Sequence, residues 1–142
     1  MILEGIDGKD HINIYSKGNT KLGRWLSNFT YSPIHIENEG NFNSIEGYWY
    51  YTTTGDDHLR LLSGYSAKQY GKKLPEINEF DRSKIKNAIT IKLNTYQGPS
   101  YFLCNKNNLP LCHYYVYGGK KVDAGYEWII KHIEEYRKIN KL

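Results

Sequence analysis

The sequence predicts an α+β fold: a single compact domain over 1–142, with a small sheet packed against several short helices. Strand patterns gather near the N-terminus, helical patterns fill the middle, and a pair of strands precedes a final amphipathic helix. The strands are not followed regularly by crossover helices, which argues against a doubly wound parallel sheet. A chain of 142 residues also suits one domain and leaves little room for two.

The first elements are predicted to be extended. Residues 11–16 (HINIYS) alternate apolar and polar side chains, which is typical of a strand. Residues 17–24 are rich in Gly, Asn and Lys and are predicted to form a loop. Residues 32–40 indicate a strand that runs into a turn, and 41–44 the returning strand of a hairpin.

The middle of the chain is predicted to be helical. Ser44 is a favourable N-cap for a helix from Ile45 to about Thr54, and Gly55 suits its C-terminal cap. Two short helices are expected over 56–64 and 66–73. A longer helix over 81–96 starts at an aspartate cap and places one set of side chains on a single face: Ile85, Ala88, Ile89 and Lys92.

The last third is predicted to contain two strands and one helix. The strands are expected over 100–104 and 111–118. Residues 126–137 form the clearest amphipathic pattern, because their apolar side chains recur at helical spacing.

Composition narrows the class of protein. Hydrophobic residues make up 39% of the chain and aromatic residues 15%, enough to build a core. The net charge of +4 suits a nucleotide or another polyanion but does not require one. No apolar run approaches the roughly 18 residues of a membrane span, and the N-terminus does not resemble a signal peptide. We therefore expect a soluble, cytoplasmic protein.

Metal and cofactor chemistry is not indicated by the sequence. The two cysteines, Cys104 and Cys112, have no CxxC or zinc-type spacing. A disulfide between them is possible in principle, but free core thiols are favoured. The five histidines show no metal-binding spacing. We expect no metal and no cofactor.

Glu46 precedes an aromatic block in which four of five positions carry a ring, namely Tyr48, Trp49, Tyr50 and Tyr51. A carboxylate in the first turn of a helix is favoured by the helix dipole, which is one explanation for Glu46. Apolar surroundings also raise the pKa of a carboxyl group, so that it can act as an acid or base near neutral pH. The residue types leave both explanations open.

A basic loop over 16–29 is the second candidate site. It carries Lys17, Lys21 and Arg24 together with glycines that would let backbone amides approach a phosphate. It is not a Walker loop, because no GKS or GKT follows. Ser27, Asn28 and Phe29 add compact polar groups and a ring. The alternative is an exposed basic loop with a tight turn.

Taken in order, these segments resemble the start of the NADAR superfamily, the YbiA-like domains. The resemblance lies in a Tyr-Ser strand, a Ser-Asn-Phe element and a Ser-x-Glu-x-Tyr helix, here Tyr15-Ser16, Ser27-Asn28-Phe29 and Ser44 to Tyr48. The segment 65–73 is similar to the family's Ala-Lys-x-x-Gly element, through Ala67, Lys68 and Gly71. The segment 85–93 is similar to a family helix that ends in a lysine, here Lys92. The match covers 11–93 well and the rest only in outline.

The resemblance implies an α+β domain that handles ADP-ribose. Family members are associated with hydrolysing N-glycosidic bonds, including removal of ADP-ribose from guanine in nucleic acid. Phage relatives imply a role in countering ADP-ribosylating host defence, in the host cytoplasm. The implied partner is an ADP-ribose moiety carried on nucleic acid, with no membrane partner.

The resemblance also implies roles for individual residues. Glu46 would perform acid/base chemistry at the ribose. We assign the nucleophile that forms a Schiff base to Lys17, because we expect its loop to face Glu46. Lys21 and Arg24 would hold the diphosphate. The remaining substrate contacts would come from Ser16, Ser27, Asn28, Phe29, Tyr48 and Trp49.

The helix departs from the family pattern at three positions. Gly47 replaces a histidine, Tyr50 replaces a glutamine, and Thr53 stands where the family has its lysine. The lysines that remain as candidates for the Schiff base are Lys17, Lys68, Lys92 and Lys120. The rival functions are a non-catalytic module that binds ADP-ribose or another NAD-derived nucleotide, and an N-glycosidase that acts on a small phosphorylated metabolite.

Overall fold

A computed structural model describes all residues from Met1 to Leu142 and confirms the α+β class. The six α-helices are α1 Lys21–Leu26, α2 Ile45–Thr54, α3 Gly64–Gly71, α4 Arg82–Thr95, α5 Gln97–Tyr101 and α6 Glu127–Ile139. The six strands are β1 Ile12–Asn13, β2 Ile34–Ile36, β3 Gly40–Phe42, β4 Leu111–Cys112, β5 Tyr114–Tyr117 and β6 Lys120–Asp123. The chain divides into two units: Met1–Ser27 with Gln97–Leu142, and Asn28–Tyr96.

The first unit combines a parallel strand pair, a hairpin and the last helix. β1 pairs in parallel with β4, and β5 pairs with β6 as an antiparallel hairpin. The buried guanidinium of Arg137 on α6 donates to the carbonyl oxygens of Leu103 and Leu109, at 3.0 and 2.7 Å. These bonds satisfy carbonyls of an irregular segment and fix α6 against it.

The second unit is a helical cluster on a short hairpin. β2 and β3 pair antiparallel, as the sequence predicts, and Asn38 supplies the positive φ of 68° that the turn needs. α2 packs against both α3 and α4, and α4 also packs against β2. The core of this unit is formed by side chains such as Phe42, Leu59 and Ile85.

Two local predictions are wrong, and a third is correct only in part. The loop predicted over 17–24 gives way to α1, because the Thr20 hydroxyl caps the helix by accepting from the Gly23 amide at 2.9 Å. Residues 100–104 are not a strand but lie in α5 and the π-helical turn Phe102–Lys106. The helix predicted over 56–64 is a 3-10 helix over Asp57–Leu61.

Both cysteines are buried free thiols. Burial raises the pKa of the Cys112 thiol to about 11, so the reactive thiolate is scarce at neutral pH. None of the helices combines the length and the apolar character that a membrane span requires.

Candidate active site

The start of α2 is built as the sequence predicts. The Ser44 hydroxyl accepts from the Gly47 amide at 2.9 Å and donates to the Leu62 carbonyl oxygen at 2.9 Å. The helix then runs from Ile45 to Thr54 and ends at Gly55, whose φ of 71° is left-handed. This cap places Glu46 in the first turn, where the partial positive charge of the helix end favours a carboxylate.

Glu46 has a strongly perturbed carboxyl group. Burial raises its pKa from 4.5 to about 7, and the nearby ammonium group of Lys68 on α3 opposes the rise. Desolvation therefore outweighs the effect of the cation on this pKa. A carboxyl group with this pKa is present in both protonation states near neutral pH, as general acid/base catalysis requires.

The segment Asn28–Phe29 links the beginnings of α2 and α3. The Asn28 carbonyl oxygen accepts from the Glu46 amide at 2.9 Å. The Phe29 ring meets the Tyr65 ring edge to face, with centroids 5.8 Å apart. The segment Asn28–Phe29, α2 and α3 therefore form one candidate site. It contains Glu46, Lys68 and the rings of Phe29 and Tyr65.

Tyr65 is a further candidate residue of this site that the sequence motifs do not single out. Its side chain is 57% exposed, so it presents an aromatic face for a ligand beside Phe29. Its position three residues before Lys68 places the two on neighbouring turns of α3. Its signal in the sequence is that it is the aromatic residue that opens the segment 65–73, which resembles the family's Ala-Lys-x-x-Gly element.

Tyr48 is a core residue, and the structure leaves its ring no exposed surface for the predicted contact with a substrate. It is 0% exposed and packs edge to face on Phe42, with ring centroids 4.9 Å apart. Its hydroxyl donates to the Glu39 carboxylate at 2.6 Å, and burial raises its pKa. Trp49 points in another direction and stacks on Phe80 at 4.7 Å, because adjacent helix positions do not share a face.

The basic loop does not form the expected cradle of backbone amides. The Gly18 amide donates to the Tyr15 carbonyl oxygen at 2.9 Å, and the Asn19 amide donates to the Asp7 carboxylate at 2.8 Å. Arg24 donates from Nη1 to the Gly18 carbonyl oxygen at 2.8 Å. These bonds hold the loop together, so the two amides are not available to a phosphate.

The other predicted residues of this loop occupy different environments. Lys21 is exposed on α1, Ser16 is half-buried in a turn, and Ser27 is buried at the C-terminal end of α1. Lys17 is exposed and lines a cavity of the first unit. Glu46 belongs to the second unit, so the expectation that Lys17 faces it stays a prediction.

Close packing accounts for two departures from the family pattern. A Cβ atom at Gly47 would collide with the carbonyl oxygen of Leu59, so no histidine fits there. The Tyr50 ring lies where a side chain at Gly71 would stand, so Tyr50 fills the contact between α2 and α3.

Thr53, the third departure, is part of the interior. It is 4% exposed, and its carbonyl oxygen accepts from the amides of Ile77 and Asn78 at 2.7 and 3.1 Å. A lysine at this position would have to bury its ammonium group or displace the loop that carries these amides.

Lys92 is the charged residue on the buried face of α4. It is 2% exposed and lies in line with Ile85, Ala88 and Ile89. Burial lowers its pKa from 10.5 to about 7. A substantial fraction of its amine is therefore neutral near pH 7, which is the form that attacks a carbonyl carbon.

No group of His, Cys, Asp or Glu side chains is arranged to hold a metal ion. A comparison of the chain with protein-family models, with curated proteins and with solved structures finds no match. The arguments for function therefore come from the residues themselves.

Proposed function

We propose that the protein is an ADP-ribosyl glycohydrolase that cleaves the N-glycosidic bond between ADP-ribose and a nucleobase in DNA or RNA. The observation that carries the proposal is the Glu46 carboxyl group, whose pKa burial raises to about 7. Lys68 lies near this carboxyl group, and the segment that bonds to the Glu46 amide contacts the exposed ring of Tyr65 through Phe29. A proton donor with a neighbouring cation and an aromatic face suits an anionic substrate that contains a heterocyclic base.

Glu46 acts as the acid in the first step of this reaction. Its protonated carboxyl group donates to the base nitrogen as the bond from that nitrogen to ribose C1 breaks. The resulting carboxylate then accepts a proton from the water that adds to C1, so the enzyme returns to its starting state. The products are free ADP-ribose and the unmodified base.

Lys92 is the favoured amine if the ribose ring opens before the base leaves, which joins C1 to the base nitrogen as an imine. The neutral amine adds to C1 of this imine, its two protons pass to the base nitrogen, and the base leaves. Water then hydrolyses the remaining Schiff base to the C1 aldehyde of ADP-ribose and the free amine. Two facts support Lys92 in place of Lys17: its lowered pKa, and its position in the same unit as Glu46, where α2 and α4 pack together. Lys17, in contrast, is exposed on the first unit.

The direct test follows release of free ADP-ribose from an oligonucleotide that carries ADP-ribosylated guanine. We expect Glu46→Gln to lower the turnover rate by about 10²–10⁴-fold, the usual contribution of a general acid. Glu76→Gln, at an exposed carboxylate of the same unit, should behave as the unsubstituted protein. Undiminished turnover by Glu46→Gln would overturn the assignment.

Reduction with borohydride during turnover tests the amine. The proposal predicts a covalent adduct that forms in Lys17→Ala and is absent in Lys92→Met. Methionine is close to lysine in length and is apolar, so the buried site stays filled. An adduct that persists in Lys92→Met and disappears in Lys17→Ala would return the role to Lys17.

A second candidate is a non-catalytic module that binds ADP-ribose, and the interior position of Thr53 favours it. At the site of the family lysine the chain has a buried hydroxyl, which donates to the Tyr50 carbonyl oxygen at 3.2 Å. The two functions separate in one experiment. Tight binding of ADP-ribose with no release from the oligonucleotide supports the module and excludes the enzyme.

A further inference from the structure

The first unit contains a cavity that the proposed reaction does not use. Its volume is about 230 Å³, and it lies entirely within the first unit. A water molecule occupies about 30 Å³ of the liquid, so the space exceeds that of a single small ion. It has the dimensions of a small organic ligand.

Two lysine side chains give this cavity a positive charge. Lys17 is exposed at its edge and takes part in none of the three ion pairs of the structure. Lys121 donates from Nζ to the carbonyl oxygens of Leu3 and Gly5, both at 2.9 Å, which fixes its position while its charge stays unneutralised by a carboxylate. An ammonium group has three donors, so one remains for a ligand.

The one carboxylate that lines the cavity, that of Asp7, is hydrogen-bonded to backbone amides. Asp7 accepts from the amides of Asn13 and Asn19 at 2.9 and 2.8 Å. These bonds disperse its charge and hold the turn from which Lys17 projects. The two cations therefore outweigh the single carboxylate, and the cavity favours an anion.

Aromatic rings supply the apolar walls. Tyr15 and Tyr114 both line the cavity, and the Lys121 ammonium lies 5.0 Å from the centre of the Tyr114 ring. Rings with polar tips bind the faces of sugars and bases, whereas a bare phosphate needs only the cations.

We propose that this cavity binds a phosphorylated pentose, as in a nucleotide, with Lys17 and Lys121 on the phosphate and Tyr15 against the sugar. The inference is separate from the glycohydrolase proposal, because none of the cavity residues belongs to the unit that contains Glu46. It also gives Lys17 a role as a phosphate-binding cation rather than as a nucleophile.

The hairpin β5–β6 offers a matched pair of variants to test the site. Val116 lines the cavity and is 44% exposed, while Val122 is 43% exposed. Val116 pairs with Lys121 and Val122 pairs with Tyr115, so the two valines lie on opposite faces of the hairpin. A tryptophan at 116 would fill the cavity, and a tryptophan at 122 would not.

The experiment measures binding of ribose 5-phosphate, ribose and inorganic phosphate to the full chain by isothermal titration calorimetry. We expect ribose 5-phosphate to bind more tightly than either fragment, with an affinity that falls as salt is added. Lys17→Ala should weaken it at least tenfold and Val116→Trp should abolish it. Val122→Trp should leave it unchanged.

Three results would overturn the inference. One is the absence of ribose 5-phosphate binding at millimolar concentration. Another is equal binding by Val116→Trp and Val122→Trp, with both variants folded by circular dichroism. The third is equal affinity for ribose 5-phosphate and inorganic phosphate, which would leave only an anion site. Glu46→Gln is expected to bind as the unsubstituted protein does, so loss of turnover and loss of this binding are distinguishable.

Discussion

The two units treat their ionisable groups differently. In the second unit, burial moves the pKa values of Glu46 and Lys92 to about 7 from opposite sides. In the first unit, Lys121 keeps its ammonium group partly exposed and hydrogen-bonded to two carbonyl oxygens. The perturbed histidine there, His113, has its pKa lowered by burial to about 4, so it is neutral across the physiological range.

In the second unit, the burial of Glu46 and Lys92 lowers the stability of the fold. Burying an ionisable group is unfavourable, and a fold that only needed stability would use apolar side chains instead. Groups that are shifted toward neutral pH are also the ones that can exchange protons there. The second unit is therefore the better candidate for proton-transfer chemistry, and the first unit for binding charge.

The largest expected effect on stability comes from replacing two lysines, Lys92 in the second unit and Lys121 in the first. Lys92→Met should stabilise the protein by about 1–4 kcal/mol at pH 7 or below, the range seen when buried charged groups are replaced by apolar ones. Lys121→Met should have the opposite sign, because it removes two hydrogen bonds to carbonyl oxygens. Urea denaturation of both variants measures this, and a destabilised Lys92→Met would mean that Lys92 serves stability.

The pH dependence of the same comparison gives a second prediction. The pKa of Lys92 is 10.5 in the unfolded chain and about 7 in the fold. Between these values the unfolded chain binds more protons, so the contribution of Lys92 to stability improves as the pH rises. The advantage of Lys92→Met over the unsubstituted protein should therefore shrink from pH 7 toward pH 10. A constant difference would contradict the shift.

Substitutions of two glycines compare the packing at one position in each unit, Gly47 in the second and Gly98 in the first. Gly47→Ala should destabilise by about 1–3 kcal/mol, because the added Cβ collides with the Leu59 carbonyl oxygen. Gly98→Ala in α5 meets nothing within 4 Å and should be neutral or stabilise by about 0.5–1 kcal/mol, since alanine favours the helix. Thermal unfolding of the two variants checks the sign of each, and equal shifts would contradict the packing at Gly47.

Two serine caps in the second unit give the smallest expected effect. Ser44→Ala removes the hydroxyl that bonds to the Gly47 amide and the Leu62 carbonyl oxygen, and should cost about 1 kcal/mol. Ser63 occupies the N-cap of α3 without a side-chain bond to the helix, so Ser63→Ala should cost less. Chemical denaturation of the pair tests whether the cap that positions Glu46 is the stronger one.

Much of the second unit could be predicted from the sequence, because its signals are local. A cap, a helical period and a glycine stop predict α2 from Ser44 to Gly55, and an Asp cap with an apolar face predicts α4. The burial of Tyr48 could not be predicted. The four consecutive aromatic residues 48–51 point to different sides of α2, and only the packing decides which ring faces the core. The apolar neighbours of Glu46 in the sequence predict the raised pKa of its carboxyl group. The place of Tyr65 in the candidate site depends on its contact with Phe29, a residue distant in sequence.

The first unit was harder to predict, because its contacts join residues that are distant in sequence. The strands of the β1–β4 pair contain two residues each, and they pair across about a hundred positions of sequence. The basic loop carries residue types that suit an anion, but its amides bond to the Tyr15 carbonyl oxygen and the Asp7 carboxylate. Such bonds have no sequence pattern of their own.

The pKa of the Glu46 carboxyl group tests the central claim most directly. Carbon-detected NMR of the side-chain carboxyl carbon, followed from pH 3 to pH 9, reports its titration. The account predicts a midpoint at about 7, and a still higher midpoint in Lys68→Met, because the Lys68 ammonium lowers the value. A midpoint near the ordinary value of 4.5, unchanged by Lys68→Met, would contradict the assignment of Glu46 as an acid poised at neutral pH.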